Sequence, residues 1–258
     1  MNIEAHATVM NLSIDQALKN AKSHISKGEI SEAHDVLNSV LNQYADGVKS
    51  LNHQLFQNSP EQGGALELPS ENIVENLKMM HNSGQLMEVI DEAILLSQQY
   101  PTSVDIWNIL GVAAAQLKRM PIAIGAFRSV TKLEPSSPDS HNNLGNALIE
   151  SGEPEQGIEA LKIALSMKPD FPEALYNMGN AFLDLGLTEK AIDAYTKALE
   201  HKLDYVEAFN NKGNALKQMG NDSEALECYK NALKFNPYYT EAKRNLINLA
   251  EQIGPQMK

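Results

Sequence analysis

VEAFNNKGNALKQMGNDSEALECYKNALKFNPYY, residues 206–239, reads as two short amphipathic helices folded back on each other. Phe209, Gly213 and Leu216 lie at helical spacing, Gly220 and Asn221 break the chain, and Ala225, Tyr229 and Ala232 form a second stripe. Pro237 stops the second helix, because its ring cannot continue the hydrogen-bond ladder. Gly213 and Ala225 are small enough to let the two backbones approach closely, while Tyr229 fills the space between successive hairpins. One hairpin of this size cannot bury its apolar face alone, so its stability must come from stacking on neighbours.

The neighbours are present. Segments beginning at Val104, Pro138, Pro172 and Val206 place a glycine at Gly111, Gly145, Gly179 and Gly213, each 34 residues after the last. Small residues recur at Ala123, Gly157, Ala191 and Ala225, and large ones at Phe127, Leu161, Tyr195 and Tyr229. Three of the four segments close on proline, at Pro135, Pro169 and Pro237. This period, with Trp107, Leu110, Gly111, Ala123, Phe127 and Pro135 in their places, resembles the tetratricopeptide repeat. The resemblance implies an all-α, right-handed superhelical solenoid of helix-turn-helix hairpins. Five repeats are expected, at 70–103, 104–137, 138–171, 172–205 and 206–239, followed by a capping helix at 240–254.

The amino end falls out of phase. Residues 1–57 read as a degenerate hairpin whose second helix runs on, and 58–69, with Pro60, Gly63, Gly64 and Pro69, as a linker. Gly28 lies 56 residues before Gly84, one period of 34 plus an insertion of 22. Within the array Leu203 replaces a closing proline, Lys212 a buried apolar residue and Lys118 the glycine between two helices.

Charge narrows the functional classes. Lys+Arg 21 against Asp+Glu 33 leaves a formal net charge of -12, the wrong sign for a phosphate backbone or an anionic membrane surface. No segment approaches the roughly 18 apolar residues that a membrane span requires. A single cysteine, Cys228, excludes an intramolecular disulfide and fits a reducing compartment, so the expected location is cytoplasmic. The seven histidines show no metal-ligand spacing, Cys228 has no basic partner beside it, and Gly63-Gly64 lacks the lysine and hydroxyl residue of a phosphate loop. No enzyme, metal or cofactor is expected.

In tetratricopeptide arrays the first helix of each hairpin lines the concave side. Counting from each segment start, the sixth position holds Asn143, Asn177, Asn211 and Asn245, and the ninth holds Asn146, Asn180, Asn214 and Asn248. A carboxamide offers both donor and acceptor to a peptide backbone. Two readings of these rows stand side by side: recognition of a bound chain, and bracing between repeats. The superhelical region of O-linked N-acetylglucosamine transferases is similar, and by that resemblance the sixth-position row would grip an extended polypeptide. Tyr176, Ile149 and Leu183 form a candidate apolar and aromatic patch between the rows.

The family's carboxylate-clamp mode fits poorly. Glu207 and Asn211 stand where its positive charges belong, and the second position is acidic throughout, at Asp105, Asp139, Glu173, Glu207 and Glu241. A neutral or basic protein or peptide is the expected partner, not a C-terminal carboxylate. The expected function is a stand-alone adaptor. The alternative is the substrate-presenting region of a larger glycosyltransferase or sulfotransferase-type enzyme, for which the finish at Pro255–Lys258 leaves room. A third possibility, self-association, is open to sedimentation of the intact chain against one lacking residues 1–69.

Overall fold

A computed structural model of the protein describes residues 68–253, which lie within one compact unit, Leu66–Lys258. The expected hairpin at 1–57 and most of the expected linker lie outside the described residues. Eleven helices and no strand occur among the described residues: α1 (Glu71–Asn82), α2 (Leu86–Gln99), α3 (Val104–Gln116), α4 (Met120–Leu133), α5 (Pro138–Glu150), α6 (Pro154–Met167), α7 (Pro172–Asp184), α8 (Thr188–His201), α9 (Val206–Gln218), α10 (Asp222–Phe235) and α11 (Thr240–Ile253). Each helix packs on its sequence neighbours, and the odd-numbered pairs α1–α3, α5–α7, α7–α9 and α9–α11 also touch. The result is a superhelical stack of hairpins.

Local chemistry sets the helix ends. The Ser103 and Ser137 side chains accept from the amides of Ile106 and Ser140, satisfying donors that the first turn leaves open. Prolines at the starts of α5, α6 and α7 lose nothing there, because the first-turn amide has no partner within its helix. Between the two helices of each hairpin the chain turns through a left-handed residue: Gly84, Gly152, Gly186 and Gly220, with φ from +70° to +84°. Lys118 takes the same slot at φ 57°. The missing glycine is thus absorbed by a strained lysine with no change of turn.

A second set of glycines works by space. A Cβ built on Gly111, Gly179 or Gly213 would stand 2.5–2.6 Å from the rings of Phe127, Tyr195 and Tyr229, and one on Gly145 would stand 2.8 Å from Leu161. Each of these large side chains lies against the bare backbone of the facing helix. Tyr195, Tyr229 and Leu161 are fully buried as a result, beside Ala191, Ala225 and Ala164. The last helix, α11, buries Ala242 and Leu249 against the stack and leaves Ile247 half exposed.

The two glycine classes predict different costs. Gly179→Ala drives a methyl into the Tyr195 ring and should lower the unfolding free energy by about 2–3 kcal/mol. Gly186→Ala meets nothing within 4 Å and carries only left-handed strain, about 1 kcal/mol. Urea unfolding of both variants checks the order, and equal losses would refute the steric account.

Candidate binding groove

The odd-numbered helices share one face of the stack, and its hollows lie between consecutive members. A pocket of about 400 Å³ between α7 and α9 is lined by Leu183, Asn214, Ala215, Lys217 and Gln218. Another of about 350 Å³ between α1 and α3 includes Lys78, His81, Asp105 and Asn108.

The asparagine rows form a connected network across these helices. Sixth-position residues reach back to the preceding repeat. Asn177 Nδ2 donates to Asn142 Oδ1 at 3.0 Å. Asn211 Nδ2 donates to the Tyr176 hydroxyl and to Asn180 Oδ1, both at 3.1 Å. Asn245 Nδ2 donates to Asn210 Oδ1 at 2.9 Å and to Asn214 Oδ1 at 3.0 Å. Both amide hydrogens of Asn211 and of Asn245 are therefore consumed inside the protein. Asn210, buried at 4% exposure, in turn donates to Asn211 Oδ1 at 3.3 Å. Asn143 makes no such bond among the described residues.

The ninth position is oriented from the opposite helix. The Tyr195 hydroxyl donates to Asn180 Oδ1 at 2.7 Å, and the Tyr229 hydroxyl to Asn214 Oδ1 at 2.8 Å. Together with Asn211 and Asn245, these hydroxyls fill both lone pairs of each carbonyl oxygen. With the oxygen held inward, the amide NH2 of Asn214 is left without a partner among the described residues, whereas the Asn180 side chain also interacts with the Tyr176 hydroxyl. Asn214 lines the α7–α9 pocket. Asn146 lacks this arrangement, because Leu161 stands in the tyrosine's place and has no hydroxyl. Its Nδ2 turns to Glu150 Oε1 at 3.3 Å instead.

The apolar patch is only partly assembled. Tyr176 is half-buried, its ring 5.0 Å from that of Tyr205 and 5.8 Å from that of Tyr195, with its hydroxyl accepting from Asn211. Leu183 reaches the α7–α9 pocket. Ile149 does not join them: at 8% exposure it belongs to the core, folded into the space beside Gly157, where a Cβ would meet Ile149 Cγ1 at 2.6 Å. A glycine where other repeats have alanine opened room that the isoleucine fills.

Burial shapes the ionisable groups. It pushes the Tyr195 hydroxyl well above its ordinary range and that of Tyr229 up to about 12. Burial also raises the Glu173 carboxyl, but its own backbone amide and Lys202 outweigh that and hold it below the usual value. The Cys228 thiol is buried, and desolvation pushes it up, away from thiolate chemistry. Among the described residues no cluster of three or more His, Cys, Asp or Glu is placed to hold a metal ion, and no helix is long and apolar enough to cross a membrane.

Two roles escaped the sequence reading: the orienting tyrosines, and the fifth-position residues Asn142, Tyr176 and Asn210 as partners of the sixth-position row. Their signal was present as a spacing, Tyr195 and Tyr229 each standing 15 residues after the asparagine it holds.

Residues 206–239 match the family model described as Tetratricopeptide repeat, and residues 142–204 match a second model of the same description. The chain carries tetratricopeptide repeats. No curated protein matches the sequence. Among solved structures it is similar to MamA, at 23% identity over 64% of this chain and 96% of that one, TM-score 0.56. It is similar also to YrrB, "a TPR protein with an unusual peptide-binding site", at 16% identity over 69% and 91%, TM-score 0.54. A third is a thermophilic TPR protein, TTC0263 from Thermus thermophilus, at 18% identity over 70% and 98%, TM-score 0.59. At these identities the likeness speaks for the fold.

Two stability measurements test the network. Asn211→Ala deletes two donated bonds and strands their acceptors, so it should cost about 1–3 kcal/mol in urea unfolding, whereas Asn143→Ala should stay within about 0.5 kcal/mol. Comparable losses would contradict the bond assignment. The buried tyrosines hold their protons more tightly folded than unfolded, so their contribution is complete below about pH 10, the unfolded value, and is lost as pH rises toward about 12 in the case of Tyr229. Stability should fall across that window, and Tyr229→Phe should flatten the fall.

Proposed function

We propose that the chain is a non-catalytic interaction scaffold that holds an extended segment of a partner protein along the odd-numbered helices. The observation that carries this reading is the preoriented, unspent amide donor of Asn214, with the Asn180 oxygen held in the same way one repeat earlier. Each has its carbonyl oxygen locked by a tyrosine hydroxyl and a neighbouring asparagine, so its NH2 is held in one direction and loses little freedom on meeting a peptide carbonyl. In this reading the sixth-position row, Asn177, Asn211 and Asn245, braces the repeats, and the ninth-position row meets the ligand. Each backbone bond adds only about 0.5–1.5 kcal/mol net, so affinity is built from several repeats and from side-chain pockets such as that at Leu183.

The peptide-binding site named for YrrB supports a peptide ligand on this fold. The exposed carboxylates of Asp139, Glu207 and Glu241 favour a neutral or basic segment over a terminal carboxylate. The same groove would serve equally as the substrate-presenting surface of a longer modifying enzyme.

Asn180→Asp with Asn214→Asp separates recognition from bracing. Aspartate still accepts from the tyrosine hydroxyl and from the next asparagine, but it presents an acceptor where the amide presented a donor. Peptides selected against the wild type from a random phage library should lose at least about tenfold in affinity, two lost bonds at about 0.5–1.5 kcal/mol each, while the melting temperature holds. Undiminished binding by the double variant would sink the proposal.

A further inference from the structure

Three consecutive repeats carry the same three positions where each hairpin closes on the next. The first is the acid that opens the odd-numbered helix: Asp139, Glu173, Glu207. The second is the residue that caps the carboxyl end of the even-numbered helix: Lys168, Lys202, Asn236. The third is the aromatic residue before the next odd-numbered helix: Phe171, Tyr205, Tyr239.

In the middle repeat the trio is complete. Lys202 Nζ donates to Glu173 Oε1 at 3.1 Å and lies 4.3 Å from the centroid of the Tyr205 ring. A carboxylate and an aromatic face thus hold one ammonium group, the combination that attracts cations through charge and ring quadrupole together. The repeat before it keeps half of this, with Lys168 Nζ 4.3 Å over Phe171.

The next repeat keeps the receptor and omits the cation. Asn236 replaces the lysine, and its Oδ1 turns back along its own loop to accept from the Tyr238 amide at 3.0 Å. The turn itself is unchanged. The Tyr239 amide donates to the Asn236 carbonyl at 3.1 Å, as the Tyr205 amide does to the Lys202 carbonyl at 3.2 Å, so Tyr239 stands to the helix ends as Tyr205 does. Glu207 has no ion-pair partner among the described residues. Burial raises the Tyr239 hydroxyl to about 12, and the charges of Glu241 and Glu207 push in the same direction.

We infer that Glu207 and Tyr239 form an external cation slot that takes the ammonium or guanidinium of a lysine or arginine on the bound polypeptide, in the place that Lys202 fills one repeat earlier. The inference rests on the groove reading for its occupant but not for its chemistry. One carboxylate beside an aromatic face suits a side-chain cation and lacks the oxygen ligands that a divalent metal requires.

The test uses the full chain and N-acetyl-lysine N-methylamide as probe, followed by amide NMR. The Glu207 and Tyr239 resonances should shift with the lysine probe and stay still with its norleucine counterpart. Asn236→Lys supplies the cation internally, so it should abolish the response with its melting temperature retained; Glu207→Gln, which keeps the shape and removes the charge, should do the same. Unmoved resonances in the wild type, an equal response to norleucine, or a full response in both variants overturns the slot. As a second arm, a selected neutral peptide is remade with lysine or norleucine at each position in turn. One lysine position should bind about tenfold more tightly to the wild type and lose that gain in Asn236→Lys. If the peptides bind and no lysine position gains, the slot falls and the groove stands. If no peptide is ever selected, the groove reading falls, and the lysine probe still decides the slot.

Discussion

The structure depends on one close approach, repeated at intervals of 34 residues: a large side chain of α4, α6, α8 and α10 lies against a glycine of the odd-numbered helix facing it. At 2.5 Å from Tyr195 there is no room for a Cβ on Gly179. This contact sets the distance between the helices of a hairpin, and through it the position of every odd-numbered helix against the next. It also places the polar groups of the odd-numbered helices. The residue after Gly145, Gly179 and Gly213 is the ninth-position asparagine, so the ring admitted by Gly179 carries its hydroxyl to Asn180, and the ring admitted by Gly213 carries its hydroxyl to Asn214. Packing and polar orientation are two consequences of one missing methyl.

That coupling explains why neighbouring repeats with similar sequences present different surfaces. The repeat with Leu161 packs as well as its neighbours but has no hydroxyl, so Asn146 is free to turn to Glu150. The next two repeats have tyrosine, and their asparagines are held with the oxygen inward. A one-residue difference in the core thus decides whether an asparagine on the face is a preset donor or is spent on a neighbouring carboxylate. The closing turns behave in the same way: Lys202 neutralises Glu173 within the protein, while Asn236 leaves Glu207 exposed. Such exposed pairs add little to stability, and their effect falls on what the face can attract.

Much of this was legible in the sequence. The period, the breaks at glycine and proline and the pairing of small with large positions follow from local rules, and helices appear where those rules put them across the described residues. Lys118 was visible as a departure, but its left-handed φ of 57° was not, since backbone conformation at one residue depends on the turn that surrounds it. Ile149 shared its repeat position with Leu183 and so looked like a groove residue. Its neighbour across the hairpin, Gly157, drew it into the core.

The sequence by itself determined the class of fold and which residue types line each face, because helical periodicity and steric allowance are properties of short stretches of chain. It could list two rows of asparagine but could not assign their roles, since a carboxamide is both donor and acceptor and its direction is chosen by partners elsewhere. It took the packed fold to direct the donors of Asn177, Asn211 and Asn245 to the preceding repeat and to leave that of Asn214 unspent. Those choices turn on hydroxyls 15 residues away and amides 31 to 35 residues away, brought into hydrogen-bond range by packing that no local rule contains.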